Sequence, residues 1–325
     1  MLSRTAEQLF WMARHMERAE NTARMLDVTL RMMLLPNTVS EQTPPWAAPW
    51  AVPLITTGLA TSYYAKYSRL SAEDVLRFLV SDAANSSSIC GCLYAARENA
   101  RSVRGTITSE MWESINATWI EVRDIDPARM RPDTIGDFFD WVKLRSHMFR
   151  GVTVGTALRD EAFQFNRLGT FLERADNTSR FLDVKYHILL PTPQDVGGAQ
   201  DYYQWSAVLR SVSAFEAYRK IYRDVVTPRK VAELLILRED MPRSLHACMN
   251  ELYTILEQIG GEAAREPERM AGELHARLHY ARIDDVLRAG LHEYLLDFLD
   301  RIGALGDEII NSFFSGQTSD EPEQP

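Results

Sequence analysis

Apolar residues recur at three- and four-residue spacings through most of the chain, and apolar–polar alternation over strand lengths is rare. That period predicts an all-α protein. Near the N-terminus Met12, Met16, Ala19, Ala23, Leu26, Leu30 and Met33 form a heptad-like stripe, and Leu168, Leu172, Ala175, Ser179, Leu182, Tyr186 and Leu189 form another. A stripe this narrow predicts that each helix buries a seam against a neighbour in a bundle. Thr5 and Gln8 have capping-box spacing at the start of the first helix, and Pro36 closes it. Further helices are predicted near 50 to 67, 71 to 81, 86 to 104, 108 to 121, 132 to 150, 201 to 224, 227 to 238, 242 to 259, 264 to 283 and 286 to 314.

The two stripes belong to a longer repeat. ERAENTARMLDV at 17–28 returns as ERADNTSRFLDV at 173–184, with nine of twelve positions identical. The same shift of 156 residues places Val75 on Val231, Leu79 on Leu235, Ser88 on Ser244 and Cys92 on Cys248. Each first helix is followed by a proline-marked break and a Trp-led segment, LLPNTVSEQTPPW and LLPTPQDVGGAQDYYQW. The expected organisation is a helical bundle of two tandem copies, 1–155 and 156–316, with pseudo-twofold character. An acidic, proline-bearing tail at 317–325 is expected to be disordered.

At 100° per residue, Arg14, Glu17, Glu20, Asn21 and Arg24 lie away from the apolar seam of the first helix, with Asp27 toward its edge and Arg18 and Thr22 on a flank. The second copy carries Glu173, Asp176, Asn177, Arg180 and Asp183, flanked by Arg174 and Thr178. A merely solvated face needs only to keep its charge, yet several of these residues are kept by identity. Two readings fit. Buried ion pairs between helices would fix the packing of the halves. Alternatively the face is a binding or catalytic patch, with Glu17 or Glu173 as general acid or base and Arg18, Arg24, Arg174 or Arg180 holding a carboxylate or phosphate.

Composition narrows the function classes. A net charge of -9 and a pI near 5.4 argue against binding nucleic acid or an anionic membrane surface. No apolar run approaches a membrane span, and the N-terminus acquires charge too early for a signal peptide, so a cytoplasmic location is expected. Cys90, Cys92 and Cys248 are an odd number without CxxC spacing, and read as core thiols. The tryptophans at 46, 50, 112, 119, 141 and 205 read as core or hinge anchors.

Catalytic motifs are absent from the sequence: it has no P-loop, G-x-G-x-x-G, G-x-S-x-G or H-E-x-x-H. Glu17 and Glu20 lack the Glu-x-x-His partners of a di-iron bundle. His275 and His279 stand at i, i+4 and would supply half a metal site, but no motif offers a third ligand. No metal or other cofactor is therefore expected.

MLSRTAEQLFWMARHMERAENTARMLDV closely resembles the opening of the bacterial alpha-E family, an all-helical family named for a Glu-Arg motif, here Glu17-Arg18 and Glu173-Arg174. The likeness extends to NSSSICGCLYAARENARSVRGTITSEMWESIN at 85–116 and MPRSLHACMNEL at 241–252, and so covers essentially all but the tail. His15 departs from it, standing where the family has a Tyr. The resemblance implies a helical interaction or accessory protein acting beside an ATP-grasp amidoligase and a transglutaminase-like or peptidase partner, in making or modifying a peptide-like product. The alternative it leaves open is an enzyme of the same pathway.

Overall fold

The computed structural model describes residues 1–33, 49–125, 134–188 and 199–315. Among the described residues there are α-helices and a single 3-10 turn, and no strand. The first half contributes α1 (Ser3–Met33), α2 (Ala51–Thr56), α3 (Ala60–Lys66), α4 (Ala72–Val80), α5 (Ile89–Ser102), α6 (Ser109–Val122) and α7 (Ile135–Thr156). The second contributes α8 (Glu161–Ile188), α9 (Ala199–Ser211), α10 (Phe215–Tyr222), α11 (Pro228–Ile236), α12 (Leu245–Ile259), α13 (Arg265–His279), α14 (Ile283–Ala289) and α15 (Leu291–Phe313).

The two long stripe-bearing helices, α1 and α8, cross at the centre. α5, α7 and α9 cover α1, while α12 and α15 cover α8. Met12, Met16, Ala19, Ala23 and Leu26 on α1 and Leu168, Leu172, Ala175, Ser179 and Leu182 on α8 are buried, as the stripes predict. Small residues in those stripes let the helices approach closely. The approach is also close beside the stripe at Gly169, where an added Cβ would overlap the Phe10 carbonyl oxygen and lie 3.0 Å from its carbon.

Several helix ends differ from the pattern's prediction. Leu2, ahead of Thr5, opens α1, its carbonyl accepting from the Thr5 and Ala6 amides at 2.9 and 3.1 Å. The Thr5–Gln8 capping box therefore does not form the start. The predicted helix over 50 to 67 divides at Gly58 (φ +70°), that over 201 to 224 at Ser213 (φ +55°), and that over 286 to 314 at Gly290 (φ +97°). A left-handed residue cannot continue a right-handed helix, and apolar periodicity carries no record of it. Pro36, Trp46, Leu189 and the tail at 317–325 lie outside the described residues, as does the side chain of Tyr186.

Helix starts elsewhere rest on side-chain caps. Ser88 Oγ accepts from the Gly91 amide at 3.1 Å, and Ser244 Oγ from the Ala247 amide at 2.9 Å. Tyr63 and Tyr218 are buried and clamp the loops after their helices, each hydroxyl donating to a carbonyl, Arg69 at 3.0 Å and Val225 at 2.8 Å.

The crossing generates a paired prediction. Gly169→Ala forces α1 from α8 and should cost about 3 kcal/mol. Gly151→Ala, at an exposed site on α7 with nothing within 4 Å of the new Cβ, should stabilise by about 1 kcal/mol. Denaturant unfolding of the two variants checks both signs.

Candidate functional site

The crossing buries the polar face of α1 as well as its apolar seam. Glu17, Glu20, Asn21, Arg24 and Asp27 are all buried, because α7 and the segment before α12 close over the side that α8 and α5 leave open. The two Glu-Arg dipeptides exchange partners across this crossing. Arg18 Nε and Nη2 donate to the Glu173 carboxylate at 2.6 and 2.9 Å, and Arg174 Nε and Nη2 donate to that of Glu17, both at 3.0 Å. Each contact is a two-pronged guanidinium–carboxylate pair, the geometry in which arginine binds most specifically.

Around Glu173 the set closes quickly, with Arg14 Nε adding a third donor at 2.9 Å. Burial works to raise the Glu173 pKa, but Arg18 and Arg14 outweigh it and bring it down to about 2. Farther along α8, Arg180 grips Asp176 on its own helix, and Asp183 lies 2.5 Å from His292 Nδ1. Asn177 donates to the Glu173 carbonyl at 3.1 Å.

Around Glu17 the set grows. Arg150 of α7 donates to Glu17 at 2.8 Å and to Glu20 at 2.5 Å, and Arg243, ahead of α12, donates to the same two carboxylates at 2.9 and 2.6 Å. Ser146 Oγ donates to Glu20 at 2.7 Å, and so does Arg24 Nε. Burial opposes ionisation of Glu17, yet Arg174, Arg243 and Arg150 bring its pKa to about 2. Glu20 is likewise held well below the carboxylate range: burial opposes this, but Arg243, the His147 hydrogen bond, Arg150 and Arg24 outweigh it. Carboxylates held this way have no proton to give near neutral pH and little basicity, which counts against Glu17 or Glu173 as a general acid or base.

Arg24 carries this network outward. Its Nη1 donates to Ser213 Oγ at 2.6 Å and its Nη2 lies 3.0 Å from the ring of the half-exposed His147. Here a cleft of 270 Å³ opens between α1, α7 and the α9–α10 junction, lined by Arg24, Asp27, Arg31, Lys143, Arg210, Ser213 and Glu216, with Val28. Lys143 and Arg31 both bind Asp27, at 2.9 and 2.8 Å. Arg210 instead lies over the Phe215 ring, 4.0 Å from its centroid, and meets no carboxylate among the described residues. Ser213 takes the left-handed conformation that a glycine adopts at the break between α2 and α3, Gly58. A serine held there costs local strain, and its hydroxyl is what the strain positions against Arg24.

The arrangement brings together Arg14, Glu17, Arg18, Glu20, Asn21, Arg24, Glu173 and Arg174, while Asp27 joins the cleft and Asp176, Asn177, Arg180 and Asp183 stay outside it. Sequence reasoning missed Lys143, Ser146, His147, Arg150, Arg210, Ser213 and Arg243. Only Arg243 stands in a stretch that drew notice, and its spacing carries no signal. His15 packs its ring on Trp11, and burial, then Arg18, lowers its pKa to about 4, so at neutral pH it is an uncharged aromatic ring. Cys92 and Cys248 are wholly buried, and burial lifts their thiols to about 12, which makes them core groups rather than nucleophiles.

The carboxylates set an acid limit. Folding lowers the Glu173 pKa from 4.5 to about 2, so its ionic contribution is whole above 4.5 and is lost as pH falls between those values. Stability should decline below about pH 6.5, where the unfolded chain protonates His15 and the fold does not, and fall more steeply below 4.5 as the carboxylates join. Glu173→Gln strands Arg14 and Arg18, and should cost about 3 kcal/mol at neutral pH while flattening the acid limb. Denaturant midpoints across pH check both effects.

No helix of the described residues is long and apolar enough to cross a membrane. No curated protein and no solved structure matches the chain. A family model does, across residues 1–314, and it describes alpha-E, a predicted alpha-helical domain with a conserved ER motif. With two Glu-Arg dipeptides clasping each other at the centre of an all-helical fold, the chain belongs to the alpha-E family.

Proposed function

We propose that the protein is a helical accessory module whose cleft binds the anionic end of a peptide-like ligand, and that it acts with an ATP-grasp amidoligase and a transglutaminase-like or peptidase partner. The observation that carries the binding half is the charge of the cleft. Arg24, Arg31, Lys143 and Arg210 face Asp27 and Glu216, in a molecule whose net charge is -9. An acidic protein gains nothing for solubility from concentrating cations in a concavity. A carboxylate or phosphate entering it would meet Arg210, already braced on an aromatic ring, and the ammonium of Lys143, which holds Asp27 and Asp140. The partner half rests on what the alpha-E resemblance implies, and a peptide product of an amidoligase carries the carboxylate that such a cleft selects.

The same reading takes the chain as two tandem copies, 1–155 and 156–316, related by a pseudo-twofold through the α1–α8 crossing. In its support, α1 and α8 exchange the same dipeptide. α4, α5, α6 and α7 begin 156 residues before α11, α12, α13 and α15. The binding cleft is then a specialisation of one copy. Where the first copy has Lys143, His147 and Arg150, positions 156 residues later hold Leu299, Gly303 and Gly306.

Binding is tested by calorimetry with a short peptide bearing a free C-terminal carboxylate, beside the same peptide amidated. Wild type should bind the acid at least tenfold tighter, about 1.4 kcal/mol. Arg210→Ala, which breaks no ion pair among the described residues, should remove that preference without changing the melting temperature. Equal binding of acid and amide, or an unaltered preference in the variant, would overturn the cleft assignment. Tagged wild type should also retain an amidoligase from its host that Arg210→Ala loses.

A further inference from the structure

Outside the central network the fold gathers three histidines. His275 and His279 lie one turn apart on α13, and α12, which packs against α13, adds His246 from its first turn. One ring nitrogen from each lies within 4.8 Å of the others. The ring centroids are separated by 5.5, 5.6 and 5.8 Å, a nearly equilateral triangle.

We propose that His246, His275 and His279 bind a divalent transition-metal cation of the zinc class. Each ring is supported as a ligand must be. His246 is buried, and its Nδ1 lies 2.9 Å from the Leu237 carbonyl oxygen, which can only accept; Nδ1 therefore carries the proton and Nε2 keeps its lone pair. His275 stacks on Tyr253 with ring planes 6° apart, and Tyr280 meets His279 edge-on at 4.8 Å. Ligation at about 2.1 Å with tetrahedral angles sets nitrogens about 3.4 Å apart, so the more exposed rings of His275 and His279 need to close by at most about 1.4 Å. Three imidazoles select zinc, copper, nickel or cobalt over calcium or magnesium, which take oxygen ligands. A fourth position remains for water or a carboxylate oxygen, as in sites where the metal meets a ligand.

The trio belongs to the second half alone. Residues 156 positions earlier are Cys90, Trp119 and Arg123, which offer no comparable set. Sequence showed only the i, i+4 pair; the third ligand, some thirty residues before it, comes from the packing of α12 on α13. The site shares no residue with the cleft between α1, α7 and α9, so either assignment can fail alone.

The test uses untagged full-length protein, stripped of metal, titrated with Co²⁺ and then Zn²⁺. Wild type should take up one equivalent of Co²⁺ with visible bands of four-coordinate intensity, which Zn²⁺ bleaches. Zn²⁺ should also raise its melting temperature. His279→Ala, at an exposed position, should weaken binding at least hundredfold and cancel the zinc-dependent melting shift while leaving the helical circular dichroism unchanged. His275→Ala should do the same and guards against a local effect of the first substitution. Absence of stoichiometric uptake by wild type would overturn the proposal, as would uptake unchanged in both variants.

Discussion

Two glutamates and two arginines, exchanged between the central helices, are the constraint on which the rest depends. Taking such charges out of water is expensive, and only close, two-pronged pairing offsets it. That requirement admits one depth and one register for α1 against α8, because sliding either helix by a turn would leave Glu17, Glu173 and Arg174 buried without their partners, and Arg18 without its own. An apolar seam alone tolerates such slips far better. The seam supplies the drive to associate, and the Glu-Arg exchange chooses the geometry.

From that geometry the asymmetry follows. Glu173 is satisfied by the crossing and by Arg14, with no further side-chain hydrogen bond to its carboxylate among the described residues. Glu17 and Glu20 draw Arg150 and Arg243 from distant segments, and Arg24 links this assembly to Ser213, His147 and a cation-lined cleft. The buried lock at the crossing thus continues, through Arg24, into the walls of the cleft. Its dipeptides lock the crossing, and farther along the same face the buried Arg24 and Asp27 line the cleft.

How much of this the sequence disclosed depends on the range of the interaction. The seams of α1 and α8 were legible because each is written within one helix at fixed spacing, whereas the serine caps of α5 and α12 were not read, the helices being predicted from 86 and 242, ahead of Ser88 and Ser244. The breaks at Gly58, Ser213 and Gly290 were not legible either, since one residue in the left-handed region interrupts a helix without disturbing its apolar period. Glu17 and Arg174 were identifiable as candidates, but their pairing was not. Arg150, Arg243 and His246 were missed for the same reason: each becomes significant only beside residues brought from elsewhere in the chain. Spacing arguments reach along one helix, whereas these sites are assembled between helices.

The most direct measurement is the coupling energy between Arg18 and Glu173, from unfolding of wild type, Arg18→Ala, Glu173→Ala and the double variant. If the exchange fixes the crossing, Arg18→Ala leaves the buried Glu173 to Arg14 alone, Glu173→Ala leaves Arg18 without its carboxylate, and the double variant removes both defects, giving a coupling of about 3 kcal/mol. Additive losses, with coupling near zero, would contradict the account and leave the apolar seam as the sole determinant of the fold.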